Sequence, residues 1–236
     1  MQWLRKAAAF LAWRPARSQA WGAILDRQEI LLAALSLQQT GSIRVMVYEH
    51  LHAPQGMVHL SERDDWLVQT LKGLGQHLPS RLRIMALALG EGRSRHGVLP
   101  WDAAEDSRRM ALEVQLEAAE AWGVEPDALG FDFRWLQADG QVQWAACLRQ
   151  ELVQWQSHAR HAGWRLPVVE PDYQAGQRAA LHLKGELQDQ WAKSPQDWQF
   201  ARTPQREPTS VDWPFLLTAP VWKPLVACGA ALGVLM

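Results

Sequence analysis

The chain has few cysteines, almost no net charge and no long apolar run, and each shortage excludes a class of protein. Cys147 and Cys228 lie far apart in apolar surroundings, which predicts buried free thiols and a reducing compartment. A formal net charge of -1 leaves no electrostatic footprint for nucleic acid. The apolar runs 7–13 and 225–236 are shorter than the about 20 residues of a membrane-spanning helix. We therefore expect neither a signal peptide nor a span, and predict a buried terminal helix at the end.

Motifs of common enzyme classes are also missing. The segment 90–97 contains Gly-x-Gly without the Lys-Ser/Thr pair of a P-loop, so it is predicted to be a flexible basic loop. No Gly-x-Ser-x-Gly or Cys/His arrangement appears. His50 and His52 would share one face of a strand, and His158 and His161 one face of a helix. No further zinc ligand is evident for either pair, so solvated surface histidines are preferred.

Aromatic and apolar residues are plentiful. Hydrophobic residues make up 48% of the 236 positions, which indicates a substantial core in one large or two small domains. The 14 tryptophans follow no fixed period, so they are assigned to core and interface packing rather than to a ligand-stacking platform.

The apolar pattern predicts strands and helices in a definite order. The predicted strands are 21–25, 30–37, 43–49, 83–89, 130–136, 141–148 and 165–169. The predicted helices are 61–78, 102–122, 150–162, 173–183 and one from about 222. Asp102 is the predicted cap of the second helix, with Glu105 at the capping-box position, and Gly123 ends it. Residues 184–214 are rich in proline and are predicted to be mostly loop, with a short helix near 187–192.

The turn Asp26–Glu29 between the first two strands contains no Gly, Ser or Thr. Three strands followed by a helix resemble the start of a ribonuclease-H/actin-like fold. In nucleotide-binding members of that group, the backbone amides of this turn hold phosphate. The resemblance thus implies the architecture, while the turn argues against nucleotide binding.

Three stretches resemble the PilM family of type IV pilus assembly proteins, and the shorter HofM proteins in particular. In 110–133 an acidic helix leads through a Pro-Asp turn to an aromatic-Asp-aromatic strand. The stretch 144–172 resembles the next strand, helix and strand of the family, and 227–233 resembles its terminal helix. The resemblance covers roughly residues 20–183 and the last dozen.

The resemblance implies an α/β fold, a ribonuclease-H/actin-like lobe with a second small α/β subdomain. The expected domains are an actin-like subdomain at 20–100, an inserted subdomain at 101–170, and closing helices at 171–236 with the Pro-rich loop 184–214. Full-length family members carry a second lobe with a second phosphate loop. Here the Pro-rich residues stand in its place, so a reduced member is expected.

The family also implies a function: a non-catalytic cytoplasmic scaffold, peripheral at the inner membrane, that binds the N-terminal tail of a PilN-like membrane protein. The tail would lie in a cleft formed by strand 83–89 and helix 102–122. Trp101, Arg108 and Arg109 are the candidate partner-binding residues, although an exposed helix face also accounts for the arginines. No cofactor is expected, and ATP is disfavoured. Membrane association would be through the partner, nucleic acid would not be bound directly, and a homo-oligomer is possible.

The alternative function is enzymatic, an actin-like ATPase or a ribonuclease-H-like nuclease. Asp26 lies where nucleases of this fold bind a divalent metal, which needs further carboxylates converging on it. Asp102, Asp132 and Asp172 are the candidates by position, but each has a simpler explanation: a helix cap, a surface strand position and a helix cap, in that order. A type II secretion component of the same fold is another alternative, which would require a membrane-spanning segment.

Overall fold

The computed structural model describes residues 19–26, 28–90, 92–101, 106–136 and 139–236. The basic N-terminal stretch and the predicted capping pair Asp102 and Glu105 lie outside the described residues. The chain forms two compact units. In the described residues, the large unit consists of residues 19–88 together with His158–Met236, and the small unit lies within Leu89–Ser157.

Nine strands and seven helices are found in the described residues. The strands are β1 Gln19–Leu25, β2 Glu29–Leu37, β3 Ile43–His52, β4 Ile84–Leu89, β5 Arg95–Pro100, β6 Leu129–Leu136, β7 Gln141–Leu148, β8 Arg165–Pro171 and β9 Gln199–Phe200. The helices are α1 Leu60–Gly75, α2 Ser107–Trp122, α3 Arg149–His161, α4 Asp172–His182, α5 Leu187–Trp191, α6 Trp213–Thr218 and α7 Trp222–Leu235. Within this part of the chain, no helix is both long enough and apolar enough to cross a bilayer.

The large unit is built on a six-stranded mixed sheet in the order β8-β4-β1-β2-β3-β9. β1 pairs antiparallel with β2 and parallel with β4, and β2 pairs antiparallel with β3. Every residue of β4 is buried. The continuous apolar run at 83–89 predicts this interior position, because a strand covered on both faces has no polar side to present.

Helix α7 packs on β1 and β2, and α4 packs on α7. Small residues allow this packing to be very close. A Cβ added at Gly22 would lie 2.0 Å from the carbonyl oxygen of Ala227, and one added at Gly229 would lie 1.7 Å from that of Ala175. The predicted buried terminal helix is confirmed, since ten of the residues of α7 are buried.

The small unit consists of an antiparallel sheet in the order β5-β7-β6, with α2 packed against all three strands. Its core combines Met110, Val114 and Ala118 of α2 with Val142 and Trp144 of β7. Helix α2 ends at Gly123, whose φ of 66° lies in the left-handed region, as the sequence predicts.

Two local predictions were wrong. The Gly-rich segment 90–97 is not all loop, because β5 begins at Arg95 and pairs with β7; its ladder hydrogen bonds outweigh the turn preference of its residues. Helix α2 begins later than predicted, at Ser107, with Asp106 as its cap. The carboxylate of Asp106 accepts a hydrogen bond from the backbone N–H of Arg108, which satisfies a donor of the first turn.

The Pro-rich segment 184–214 contains the predicted short helix, α5, but also more order than expected. Trp198 and Phe200 are almost fully buried in the large core, and Phe200 pairs with Ile43 to attach β9 to the edge of the sheet. The reason is tertiary: two large apolar side chains gain more by burial than the loop loses in conformational entropy.

The expected domain bounds and the compact units are offset from each other. The expected inserted subdomain is 101–170, whereas the small unit is 89–157. The small unit begins earlier than expected because β5, which precedes residue 101, pairs in the small sheet. It also ends earlier, because β8, at the end of the expected subdomain, belongs to the large sheet.

Candidate functional site

The turn that joins β1 to β2 is held by hydrogen bonds within the chain. The N–H of Asp26 donates to the carbonyl of Glu29 over 2.9 Å, and the N–H of Gln28 donates to the Asp26 carboxylate over 3.1 Å. The carbonyl of Gln28 accepts from the N–H of Ala53. Two amides of the turn are therefore already bonded, one of them to an anion. Phosphate binding needs convergent donors and positive potential, and this turn offers a carboxylate instead.

Glu29, the last residue of the turn, lies close to two histidines and a lysine. Glu29 pairs with His52 in the register between β2 and β3, and Leu31 pairs with His50. Alternate residues of a strand point to the same face, so His50 and His52 lie side by side, with ring centroids 4.3 Å apart. The Nε2 atom of His50 lies 2.9 Å from Oε2 of Glu29. The second carboxylate oxygen, Oε1, accepts a hydrogen bond from Nζ of Lys223 in the first turn of α7.

These contacts change the acidity of Glu29. Partial burial works to raise the pKa of its carboxyl group, but the hydrogen bonds from Lys223 and His50, together with their charges, outweigh burial and leave the pKa below its ordinary value. The neighbouring Tyr48 is half-buried, and desolvation together with the nearby Cys228 and Glu29 raises its pKa to about 12. Glu29 is thus an anionic acceptor held between cationic or neutral donors.

Three of the four nuclease-type carboxylates, Asp26, Asp132 and Asp172, lie in the described residues, and Asp102 lies outside them. Asp26 and Asp172 belong to the large unit and Asp132 to the small unit, where it lies on β6 and accepts from the N–H of Phe133. Asp172 is the first residue of α4, and Pro171 occupies the cap position that the sequence assigns to the aspartate. Among the described residues, the group of three side chains able to share a metal ion contains none of these aspartates.

The candidate partner-binding residues all lie in the small unit. Trp101 is half-buried against the core around Trp144, and its backbone N–H donates to the carbonyl of Gly140 over 2.8 Å. Arg108 and Arg109 are exposed on the first turn of α2. Nε of Arg109 lies 3.8 Å from the carboxylate of Glu113, one helical turn further on. The two arginines present positive charge to solvent on the first turn of α2.

Sequence reasoning missed Glu29 and Lys223. The spacing of His50 and His52 identifies two possible ligands on one strand face, but the third, Glu29, comes from the neighbouring strand through the β2–β3 register. Lys223 lies 194 positions from Glu29 and reaches it because α7 packs back on β1 and β2. No local pattern carries that information.

No protein-family model and no curated protein matches the chain. Among solved structures, the chain is similar to a chain of the PilM-PilN type IV pilus biogenesis complex, with a TM-score of 0.54 and 21% identity over 71% of this chain and 51% of that one. The present chain therefore spans about half the length of that relative.

Two further structures resemble the chain more weakly. The cytoplasmic domain of EpsL, an inner-membrane component of the type II secretion system of Vibrio cholerae, matches with a TM-score of 0.49 and 12% identity over 67% of this chain and 59% of its own. RuvC of T. thermophilus in complex with a Holliday junction matches with a TM-score of 0.41 and 11% identity over 92% of each chain. At TM-scores below 0.5, these two resemblances say nothing about the function of this chain. The six-stranded mixed sheet and its helices, together with the likeness to the PilM-PilN complex, confirm the predicted α/β fold with an actin-like lobe.

Proposed function

We propose that the protein is a non-catalytic scaffold of a type IV pilus or DNA-uptake assembly platform, and that it binds the N-terminal tail of a PilN-like inner-membrane protein. The observation that carries the proposal is the likeness of its fold to a chain of the PilM-PilN type IV pilus biogenesis complex. In this proposal the protein is cytoplasmic and is held at the inner membrane by its partner.

The non-catalytic part of the proposal is supported by the β1–β2 turn. In a phosphate-binding turn, free N–H groups point at the ligand. Here the N–H of Gln28 already donates to the Asp26 carboxylate, and Glu29 adds a second anion close by. A nucleotide phosphate brought to this turn would find the Gln28 amide occupied and the Asp26 carboxylate beside it, which disfavours an ATPase.

A thermal-shift measurement with ATP and Mg²⁺ separates the scaffold from the ATPase. We expect no change in melting temperature at millimolar nucleotide, because a ligand stabilises a protein only by binding its folded state. A clear, saturable rise would contradict the scaffold-only function. A gel assay with branched and single-stranded DNA in Mg²⁺ or Mn²⁺ tests the nuclease alternative, and we expect the substrates to remain intact.

The binding part of the proposal assigns the partner to the surface around Trp101, Arg108 and Arg109. An extended peptide gains main-chain hydrogen bonds and side-chain pockets from a preformed groove. The half-buried indole of Trp101 offers an apolar contact, and the two exposed guanidinium groups suit a peptide carrying a carboxylate.

Calorimetric titration with a synthetic peptide tests this assignment. The peptide corresponds to about the first 15 residues of the PilN-like protein encoded with this chain, a length that can lie extended along a groove. We expect saturable binding that a scrambled peptide lacks. Replacing Arg108 and Arg109 together by Glu should weaken binding about tenfold or more, since each exposed charge pair contributes up to about 1 kcal/mol and reversal adds repulsion.

The matched control is Glu113→Gln. It breaks the ion pair of Arg109 with Glu113 but keeps both arginines, so binding should be unchanged or slightly tighter. Absence of binding by the unmodified protein would contradict the partner assignment. Equal losses in Glu113→Gln and in the double arginine variant would show that the arginines act through the helix and not through the peptide.

A further inference from the structure

The three side chains of Glu29, His50 and His52 bring ligand atoms of three residues within 4.8 Å of one another. We propose that they form a binding site for Zn²⁺ or a similar late transition-metal ion at one end of the β2–β3 strand pair in the large sheet. The site is independent of the proposed partner surface, which belongs to the small unit.

The donor set suits zinc. Imidazole nitrogens and carboxylate oxygens bind Zn²⁺ at about 2.0–2.2 Å, so tetrahedral ligands lie about 3.3 Å apart. Nε2 of His50 and Oε2 of Glu29 are already 2.9 Å apart, and small side-chain rotations would open this distance to admit the ion. Two histidines and one glutamate form a donor set known from zinc sites that keep a fourth position for water. Mg²⁺, which prefers oxygen ligands alone, does not fit.

The backbone holds the three ligands in place. Glu29 lies directly opposite His52, and His50 is two residues away on the same strand face. The irregularity in the β2–β3 ladder falls between Ala34 and Leu35, away from these residues. Because the ladder fixes the Cα positions, the ion would require rotation of side chains only.

Lys223 orients the carboxylate of Glu29. Its Nζ donates to Oε1 of Glu29, which leaves Oε2 directed at His50. Ligating carboxylates in metal sites are commonly hydrogen-bonded through the second oxygen in this way. The side chain of Lys223 is 56% exposed, so water screens its charge from a cation bound beyond the carboxylate.

Isothermal titration of the full chain with Zn²⁺, after treatment with a chelator, tests the proposal. We expect one ion per chain, a dissociation constant in the micromolar range or below, and no competition from millimolar Mg²⁺. The single variants Glu29→Gln, His50→Gln and His52→Gln should each weaken binding at least tenfold. His77→Gln, which removes an exposed histidine at the end of α1, is the matched control and should bind like the parent protein.

Melting curves in the presence of chelator establish that each variant is folded. A zinc-edge X-ray absorption spectrum of the unmodified protein gives a second readout that needs no variant. We expect two imidazoles with oxygen ligands completing the shell. Absence of saturable binding, a spectrum with sulfur ligands or fewer than two imidazoles, or undiminished binding in folded His50→Gln and His52→Gln would overturn the proposal.

Discussion

Two contacts, one in each unit, are closed by different kinds of atoms. In the large unit, glycine and alanine bring α7 and α4 so close that backbone meets backbone: a Cβ added at Gly229 would lie 1.7 Å from the carbonyl oxygen of Ala175. In the small unit, where β5 pairs with β7, a Cβ added at Gly97 would lie against the indole ring of Trp144. A backbone cannot move aside without moving its whole element, whereas a side chain can rotate. The contact of α4 with α7 should therefore tolerate added volume much less than the contact of Gly97 with Trp144.

The largest effect is expected for Gly229→Ala. The new Cβ would lie 1.7 Å from the carbonyl oxygen of Ala175, so α7 and α4 must separate. We expect a loss of about 3 kcal/mol or more in the free energy of unfolding, measured with urea, at or above the upper range for overpacked cores. Gly73→Ala is the control, because nothing lies within 4 Å of its added Cβ. In the last turn of α1 it should stabilise the protein by about 0.5–1 kcal/mol.

The next effect concerns the ion pair between Arg178 on α4 and Glu170 on β8. Arg178 donates to both oxygens of Glu170 and also to the carbonyl of Gly229. Arg178→Met should cost about 2–3 kcal/mol, because the largely buried Glu170 carboxylate would lose its charged partner. The double variant with Glu170→Gln should recover part of the loss in the same urea experiment. No recovery would mean that the hydrogen bond to Gly229 dominates.

A smaller effect is expected for Gly97→Ala in the small unit. The added Cβ would lie 2.6 Å from ring atoms of Trp144, a side chain that can shift within its pocket. We expect a loss of about 1–2 kcal/mol, within the usual range for an overpacked site. Hydrogen exchange should place the loss of protection in β5, β6 and β7. A cost equal to that of Gly229→Ala would contradict the proposed difference between the two contacts.

The smallest expected effect concerns the reactivity of two thiols, Cys147 in the small unit and Cys228 in the large unit, and not the stability of the fold. Burial, and to a lesser extent the charge of Glu151, raises the pKa of Cys147 to about 11, and complete burial raises the pKa of Cys228 further. At pH 8 the thiolate fraction of Cys147 is then about one in a thousand. Labelling by a thiol reagent should be slow, should rise with pH towards 11, and should reach Cys147 before Cys228. Rapid labelling of Cys228 in the folded protein would contradict its burial.

Much of the fold is visible in the sequence because it depends on local periodicity. The continuous apolar run of β4 predicts an interior strand, and Gly123 predicts the end of α2. The missed strands have one cause. β5 and β9 are strands only because distant segments pair with them, and neither Arg95–Pro100 nor the two residues of β9 carry a strand pattern of their own. Strand formation at such positions is decided by the partner.

The candidate sites, like the fold, are only partly visible in the sequence. His50 and His52 are a pair by spacing alone, and the composition of the Asp26–Glu29 turn already argues against phosphate. That the Gln28 amide is occupied by the Asp26 carboxylate becomes evident only in the folded turn. Trp101, Arg108 and Arg109 remain predicted partner-binding residues, and the peptide titration is their test.

By itself the sequence determined the order of most elements, the α/β class and the chemistry of the first turn, because these follow from side-chain period and residue type over short stretches. The tertiary structure alone decided that Glu29 faces two histidines and that Lys223, 194 positions away, holds its carboxylate. Strand register and helix packing determine which distant side chains come into contact. Both depend on burial summed over the whole unit, and a short stretch of sequence does not carry that information.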